Sequence, residues 1–284
     1  MIPTHSNLAD DSCDVTKVTN LFHATFYNTD MVHQTIPRQS MICVGTSGWQ
    51  YSDFKATFYP EDLPSAARLA YYAERLRTVE INSTFYHMPR VATVQKWADE
   101  TPEIFHITVK LNRYFTHTKK LAVDDEFCAK LDEFLTAVMT LGDKIAVVLV
   151  QLPPSLRCDL ATLQAFLDAI DGRVTIALEC RHESWINAEV RAMLETYRAL
   201  WVINDSPDKW PTAPWVIDGM VYLRMHGRER LYASSYSSEE LANMTAMLRE
   251  LGATSGWIYF NNTVGGAAIR NALVMQECIG NGIS

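Results

Sequence analysis

No stretch of the chain comes near the roughly 18 consecutive apolar residues that a membrane-spanning helix needs. The N-terminus lacks a basic region followed by an apolar run. These two absences predict a cytoplasmic protein with no membrane partner. The six cysteines, Cys13, Cys43, Cys128, Cys158, Cys180 and Cys278, include no C-x-x-C pair. That spacing excludes the usual zinc patterns and the dense disulfide framework of small secreted domains, and it fits reduced thiols. Positive charge is also scarce. Lys and Arg number 25 against 33 Asp and Glu, a net charge of −8, which argues against a surface that clings everywhere to nucleic acid or anionic lipid. A local basic site stays open. The G-x-x-x-x-G-K-[ST] phosphate loop is missing as well.

What remains is a chain of 284 residues, 48% hydrophobic, long enough for one large core. Residues 1–40 alternate short polar and aromatic pieces without a sustained period and are read as an N-terminal extension. From Ile42 onward, β-branched runs alternate with helical stretches, the pattern of βαβ units around a parallel sheet. Eight strands are predicted, at 42–47, 78–82, 105–111, 145–151, 174–181, 200–205, 220–226 and 257–262. Helices are expected at 64–77, 91–100, 124–141, 159–170, 187–198, 238–250 and 266–279. The sixth crossover, 206–219, carries three prolines and two tryptophans and reads mostly as loop.

Parity along the strands separates an open sheet from a closed barrel, because side chains alternate faces with period two. Val79 and Ile81 share one face, Glu80 and Asn82 the other. Val221, Leu223 and Met225 likewise oppose Tyr222, Arg224 and His226. An open doubly wound sheet would want apolar residues on both faces. Polar residues recur instead at the C-terminal strand ends: Thr46, Glu80, Asn82, Lys110, Gln151, Glu179, Arg181, Asn204 or Asp205, Arg224, His226, and Asn261 or Asn262. A (β/α)8 TIM-type barrel spanning 41–284 as a single domain places its ligand site at that end.

The segments "VGTSGWQYSDFKATFYP", "YYAERLRTVEINSTFYHMP", "FHITVKLNRYFTH", "VVLVQLPPSL", "IALECRHESW", "YLRMHGR" and "YFNNT" with "AAIRNA" together resemble the YecE-like family, domain of unknown function seventy-two. The resemblance covers about residues 42–277 in strand order. It implies a TIM-type barrel and supplies no mechanism.

The strand ends themselves suggest chemistry. Glu80 and Glu179, three strands apart, are candidate catalytic groups that could divide acid and base work. The alternative is structural pairing of Glu80 with Lys110 and of Glu179 with Arg181 or Arg224. His226 is the third catalytic candidate, since an ordinary imidazole titrates near neutral pH, and Gly227 behind it lets the chain turn away. Lys110, Arg181 and Arg224 are expected to hold an anion, with Thr46, Trp49, Asn82, Gln151 and Asn261 also lining the substrate. The turn Thr46–Ser47–Gly48 could offer amides to the same anion, and the aromatic residues Trp49, Tyr51, Phe85, Tyr86, Trp185 and Trp210 could stack on a base or sugar or cap the barrel. Glu80, Glu179, Asp205 and His226 could ligate a divalent metal, although nothing in the sequence requires a metal or any other cofactor. The reading that follows is a hydrolase acting on a phosphate-containing substrate, a nucleotide or nucleic acid. A carbohydrate-active enzyme using the two glutamates, or a non-catalytic binding barrel for nucleic acid or a metabolite, are the alternatives. The oligomeric state is left open.

Overall fold

The computed structural model describes residues 41–280 except 56, 207 and 208. The expected N-terminal extension therefore lies outside the described residues. Eight strands, β1 (Ile42–Thr46), β2 (Thr78–Ile81), β3 (His106–Lys110), β4 (Ile145–Gln151), β5 (Ile176–Glu179), β6 (Leu200–Asp205), β7 (Met220–Met225) and β8 (Ser255–Phe260), pair in sequence order into a closed parallel barrel. Closure is made by β1 on β8, with Ile42 to Thr46 in register with Gly256 to Phe260. The helices are α1 (Arg68–Ala73), α2 (Ser83–Tyr86), α3 (Val91–Asp99), α4 (Asp125–Met139), α5 (Leu160–Ile170), α6 (Ala188–Tyr197), α7 (Ser238–Glu250) and α8 (Ala267–Gly280). The fold is a (β/α)8 barrel. No described helix is long and apolar enough to cross a membrane.

Local chemistry explains the helix starts. Asp124, Asp159 and Asn187 each accept a backbone N–H from the first turn of α4, α5 and α6, and Ser237 forms a reciprocal capping box with Glu240 at α7. The first helix is shorter than its sequence pattern, with a 3-10 turn at Ser65–Ala67 ahead of it. Two short elements arise where loops were expected. They are α2 and a π-helical turn at Tyr114–Thr118, and both sit directly after strands that feed the ligand end of the barrel. Between β6 and β7 the described residues form no helix. Trp215 packs on Trp201 instead, with ring centroids 4.7 Å apart, and so covers the outer face of β6.

Outside the barrel wall, Val79, Ile81, Ile107 and Val109 are buried against the helices. Inside, the packing is unusually polar for a core. Tyr259 Oη lies 2.6 Å from Thr78 Oγ1 and 2.8 Å from Thr108 Oγ1, and its ring tilts against Tyr222 at 5.3 Å. These hydroxyls satisfy one another, which is the condition for burying them. They form the platform on which the charged layer rests. Tyr259→Phe leaves two buried threonine hydroxyls short of a partner, so urea denaturation should show a loss of about 1–3 kcal/mol with an unchanged m-value. A neutral result would mean that the hydroxyl layer is not part of the barrel's stability.

Candidate functional site

The charged layer is organised by Arg224, delivered inward by β7 and only 2% exposed. Its Nε and Nη2 donate to Glu80 Oε2 and Oε1 at 3.0 and 2.7 Å, a bidentate pair, while Nη1 donates to Glu179 Oε2 at 2.8 Å. The guanidinium thus occupies the space between the two carboxylates. Glu80 accepts three further hydrogen bonds, from Ser47 Oγ at 2.8 Å, Asn82 Nδ2 at 3.1 Å and Tyr222 Oη at 2.7 Å. Glu179 accepts a second cationic donor, Arg181 Nη2, at 2.6 Å. Burial alone would raise both carboxyl pKa values. The arginines outweigh it, through Arg224 at Glu80 and through Arg181 then Arg224 at Glu179, so both stay below the ordinary carboxylate value.

Lys110 ends β3 and is 9% exposed. Its Nζ donates to Gln151 Oε1 at 2.6 Å and sits 4.4 Å from the Phe85 ring centroid. It forms no ion pair with any described carboxylate. Desolvation, reinforced by the Arg224 charge, pushes its pKa down to about 8. Arg181 lies over Trp210, its Cζ 3.3 Å from the ring centroid, and its Nε finds no partner among the described residues. Together with His182, Glu183, Lys209, Trp210 and Pro211 it lines an open hollow.

His226 is fully buried. Asn261 Nδ2 lies 3.1 Å from its Nδ1, and Asn204 Oδ1 lies 3.1 Å from its Nε2. A neutral ring protonated on Nε2 satisfies both amides. Burial and the neighbouring cations Arg224 and Arg181 hold its pKa well below the usual imidazole value. Gly227 does turn the chain away, with φ of 89°, and a Cβ there would lie 2.8 Å from Ser234 Oγ.

Several expectations need correcting. Thr46 faces the helix layer, its Oγ1 3.0 Å from Tyr72 Oη of α1. Inward parity on β1 belongs to Ser47. The amides of Thr46, Ser47 and Gly48 are all taken, by Tyr72 Oη, Phe260 O and Thr46 O, so this turn has none to spare for an anion. Trp49 is buried edge-on against Trp97 of α3, at 6.4 Å. Trp185 is likewise buried, donating to Leu156 O. Glu80 pairs with Arg224 rather than with its strand neighbour Lys110, and Arg224 spends its donors on carboxylates. Asp205 is held by Arg228 outside the mouth. Among the described residues no group of three His, Cys, Asp or Glu is placed to hold a metal ion. Asn82, Gln151 and Asn261 do reach the mouth, bonded to Glu80, Lys110 and His226. Tyr222 also belongs to the site through its bond to Glu80, and its parity two residues before Arg224 signals it.

A closed eightfold barrel with its polar residues gathered at one end defines the class of the molecule. Within that class, a family model described as "Protein of unknown function DUF72" matches residues 43–283, and the chain belongs to this family. A curated relative, UPF0759 protein YecE of Escherichia coli strain K12, is 30% identical over 112 residues, 39% of this chain and 40% of the relative. The match thus spans less than half the length of that relative. A DUF72 family protein from Thermotoga maritima MSB8 superposes with a TM-score of 0.73 at 28% identity, covering 84% of this chain and 99% of its own. A second, from Enterococcus faecalis V583, gives 0.71 at 23% identity over 84% and 96%.

Removing the guanidinium should expose how much the layer depends on it. Arg224→Met is expected to lose about 3–5 kcal/mol near pH 7, because two buried carboxylates lose their counter-charge. The depressed glutamate pKa values mean that the wild-type advantage is complete above about pH 4.5 and lost as pH falls through the lower folded values. Wild type and variant should therefore converge in acid, measured by urea denaturation at a series of pH values; a constant gap would contradict this account.

Proposed function

We propose that the barrel mouth binds a phosphate-bearing small molecule, with Lys110 and Arg181 as its cationic contacts. The observation that carries this is Arg181, whose unpartnered Nε belongs to a side chain lining the open hollow. Charge supports it. Among the described residues of the layer, Arg224 and Arg181 pair with Glu80 and Glu179 while Lys110 has no carboxylate partner and His226 is held neutral, which leaves one unit of positive charge within that group. An anion would complete the balance, and a guanidinium whose Nε lacks a partner suits a phosphate oxygen. The chain's net charge of −8 favours a small ligand over a long polyanion.

Hydrolysis remains the reaction class suggested by the sequence, and it needs a proton acceptor near the ligand. Glu80 and Glu179 are committed to arginines. Lys110, with its pKa at about 8, is the group of this layer poised to give or take a proton near neutrality. The glycosidase alternative has less support, since the Arg224 guanidinium stands where a sugar would pass between the two carboxylates.

Titration calorimetry with inorganic phosphate and pyrophosphate tests the binding. Arg181→Gln should weaken either ligand by roughly tenfold or more, the value of a charge-assisted hydrogen bond, and wild-type affinity should fall with added salt. Equal affinity in the two proteins would sink the proposal. Lys110 adds a stability signature: its lowered pKa means that the ammonium form costs the folded state free energy near pH 7. Lys110→Met should therefore stabilise the protein by roughly 2–4 kcal/mol there while weakening anion binding. No gain in denaturation midpoint would show that Lys110 is adequately compensated.

A further inference from the structure

We infer that Lys110 is a covalent nucleophile, forming an imine with the carbonyl carbon of a small phosphorylated aldehyde or ketone. The substrate class rests on the anion-binding reading above; the nucleophile rests on the geometry of Lys110 itself. An amine serves as a nucleophile when it is desolvated, set beside other cations and left without a carboxylate to hold its proton. Lys110 meets each condition. It projects from the end of β3 into the charged layer, 91% buried, facing Arg224 and Arg181, while Glu80 and Glu179 are both engaged by arginine.

The surroundings also aim the amine. Its one hydrogen bond is to the neutral amide oxygen of Gln151, and the Phe85 ring beneath it restricts the side chain without accepting a proton. A lysine meant only as a charge would sit more stably against a carboxylate. The nearby His117 also has a lowered pKa, from burial first and from Lys110 next, so it does not act as a competing cation at neutral pH.

The Nζ lone pair attacks the carbonyl carbon, the C–N bond forms and the carbonyl π pair moves to oxygen. That oxygen takes the proton released by nitrogen and then one from solvent, after which the C–O bond breaks and water leaves. A protonated imine remains, with one proton consumed overall when the lysine starts neutral. The positive imine keeps the charge that Lys110 held, so the phosphate's partner is not lost.

Reductive trapping tests this. Full-length protein is treated with glycolaldehyde phosphate and cyanoborohydride, which reduces the imine to a stable secondary amine, and the labelled lysines are located by peptide mass spectrometry. Lys110 should be labelled at least roughly tenfold faster than any other lysine, since its neutral amine is about a hundredfold more abundant near pH 7 than that of an ordinary lysine. Inorganic phosphate should slow the labelling. Lys110→Arg should give no adduct at this site while retaining the wild-type circular dichroism spectrum. Labelling of Lys110 no faster than that of surface lysines, with phosphate binding intact, would overturn the imine and leave the binding proposal standing. Equal labelling by glycolaldehyde without its phosphate, unaffected by inorganic phosphate, would support the nucleophile and remove the phosphate from its substrate.

Discussion

The inside of this barrel depends on a single guanidinium. Arg224 crosses from β7 to bond Glu80 on β2 and Glu179 on β5, so one side chain ties together strands that are not neighbours. Burying three charges is costly, and the cost is offset because Glu80 accepts five hydrogen bonds while Glu179 accepts two, both from guanidinium groups. Everything else in the layer follows from that arrangement. The glutamates are held ionised, His226 is held neutral by burial and by the cations around it, and Lys110 is left as a buried ammonium beside carboxylates already engaged. A site whose glutamates look like acid and base in a list of residues becomes, in three dimensions, a rigid counter-charge with a lysine and an arginine facing outward from it.

Much of the architecture was legible in the chain. β-branched runs set between helical stretches marked all eight strands, parity pointed Glu80, Arg224 and His226 inward, and the proline-rich stretch after β6 matched a crossover whose described residues form no helix. Composition could not say which cation pairs with which carboxylate. Neighbouring strands are the natural guess from sequence, whereas arginine is long enough to reach across the barrel, and Arg224 bonds Glu80 three strands away while Lys110, next door, bonds Gln151. Thr46 and Trp49 were misplaced for a different reason. Parity carried on from Cys43 and Gly45 points Ser47 inward and Thr46 outward, against the polarity of the strand end, and Trp49 lies past the turn, where strand parity no longer applies.

The two short elements absent from the sequence pattern are instructive in the same way. The single helical turn α2 and the π-helical turn after β3 are too brief to show a period, yet they place Phe85 under Lys110 and set His117 edge-on to the Phe85 ring at 5.0 Å. A π-helical turn carries an extra residue per hydrogen-bonded ring, a geometry often found beside functional sites. Elements of this size are decided by tertiary contacts, which no local pattern records.

Among the described residues no helix joins β6 to β7, and this bears on how such a molecule can diversify. Elsewhere, each crossover both shields the barrel wall and ends at the rim, so altering the rim risks baring the wall. At the sixth crossover the two duties fall to different tryptophans, Trp215 over Trp201 on the outside and Trp210 over Arg181 at the opening. The four residues between these tryptophans let one vary while the other stays in place. This segment is therefore a place where ligand preference can be rewritten while the scaffold is left intact.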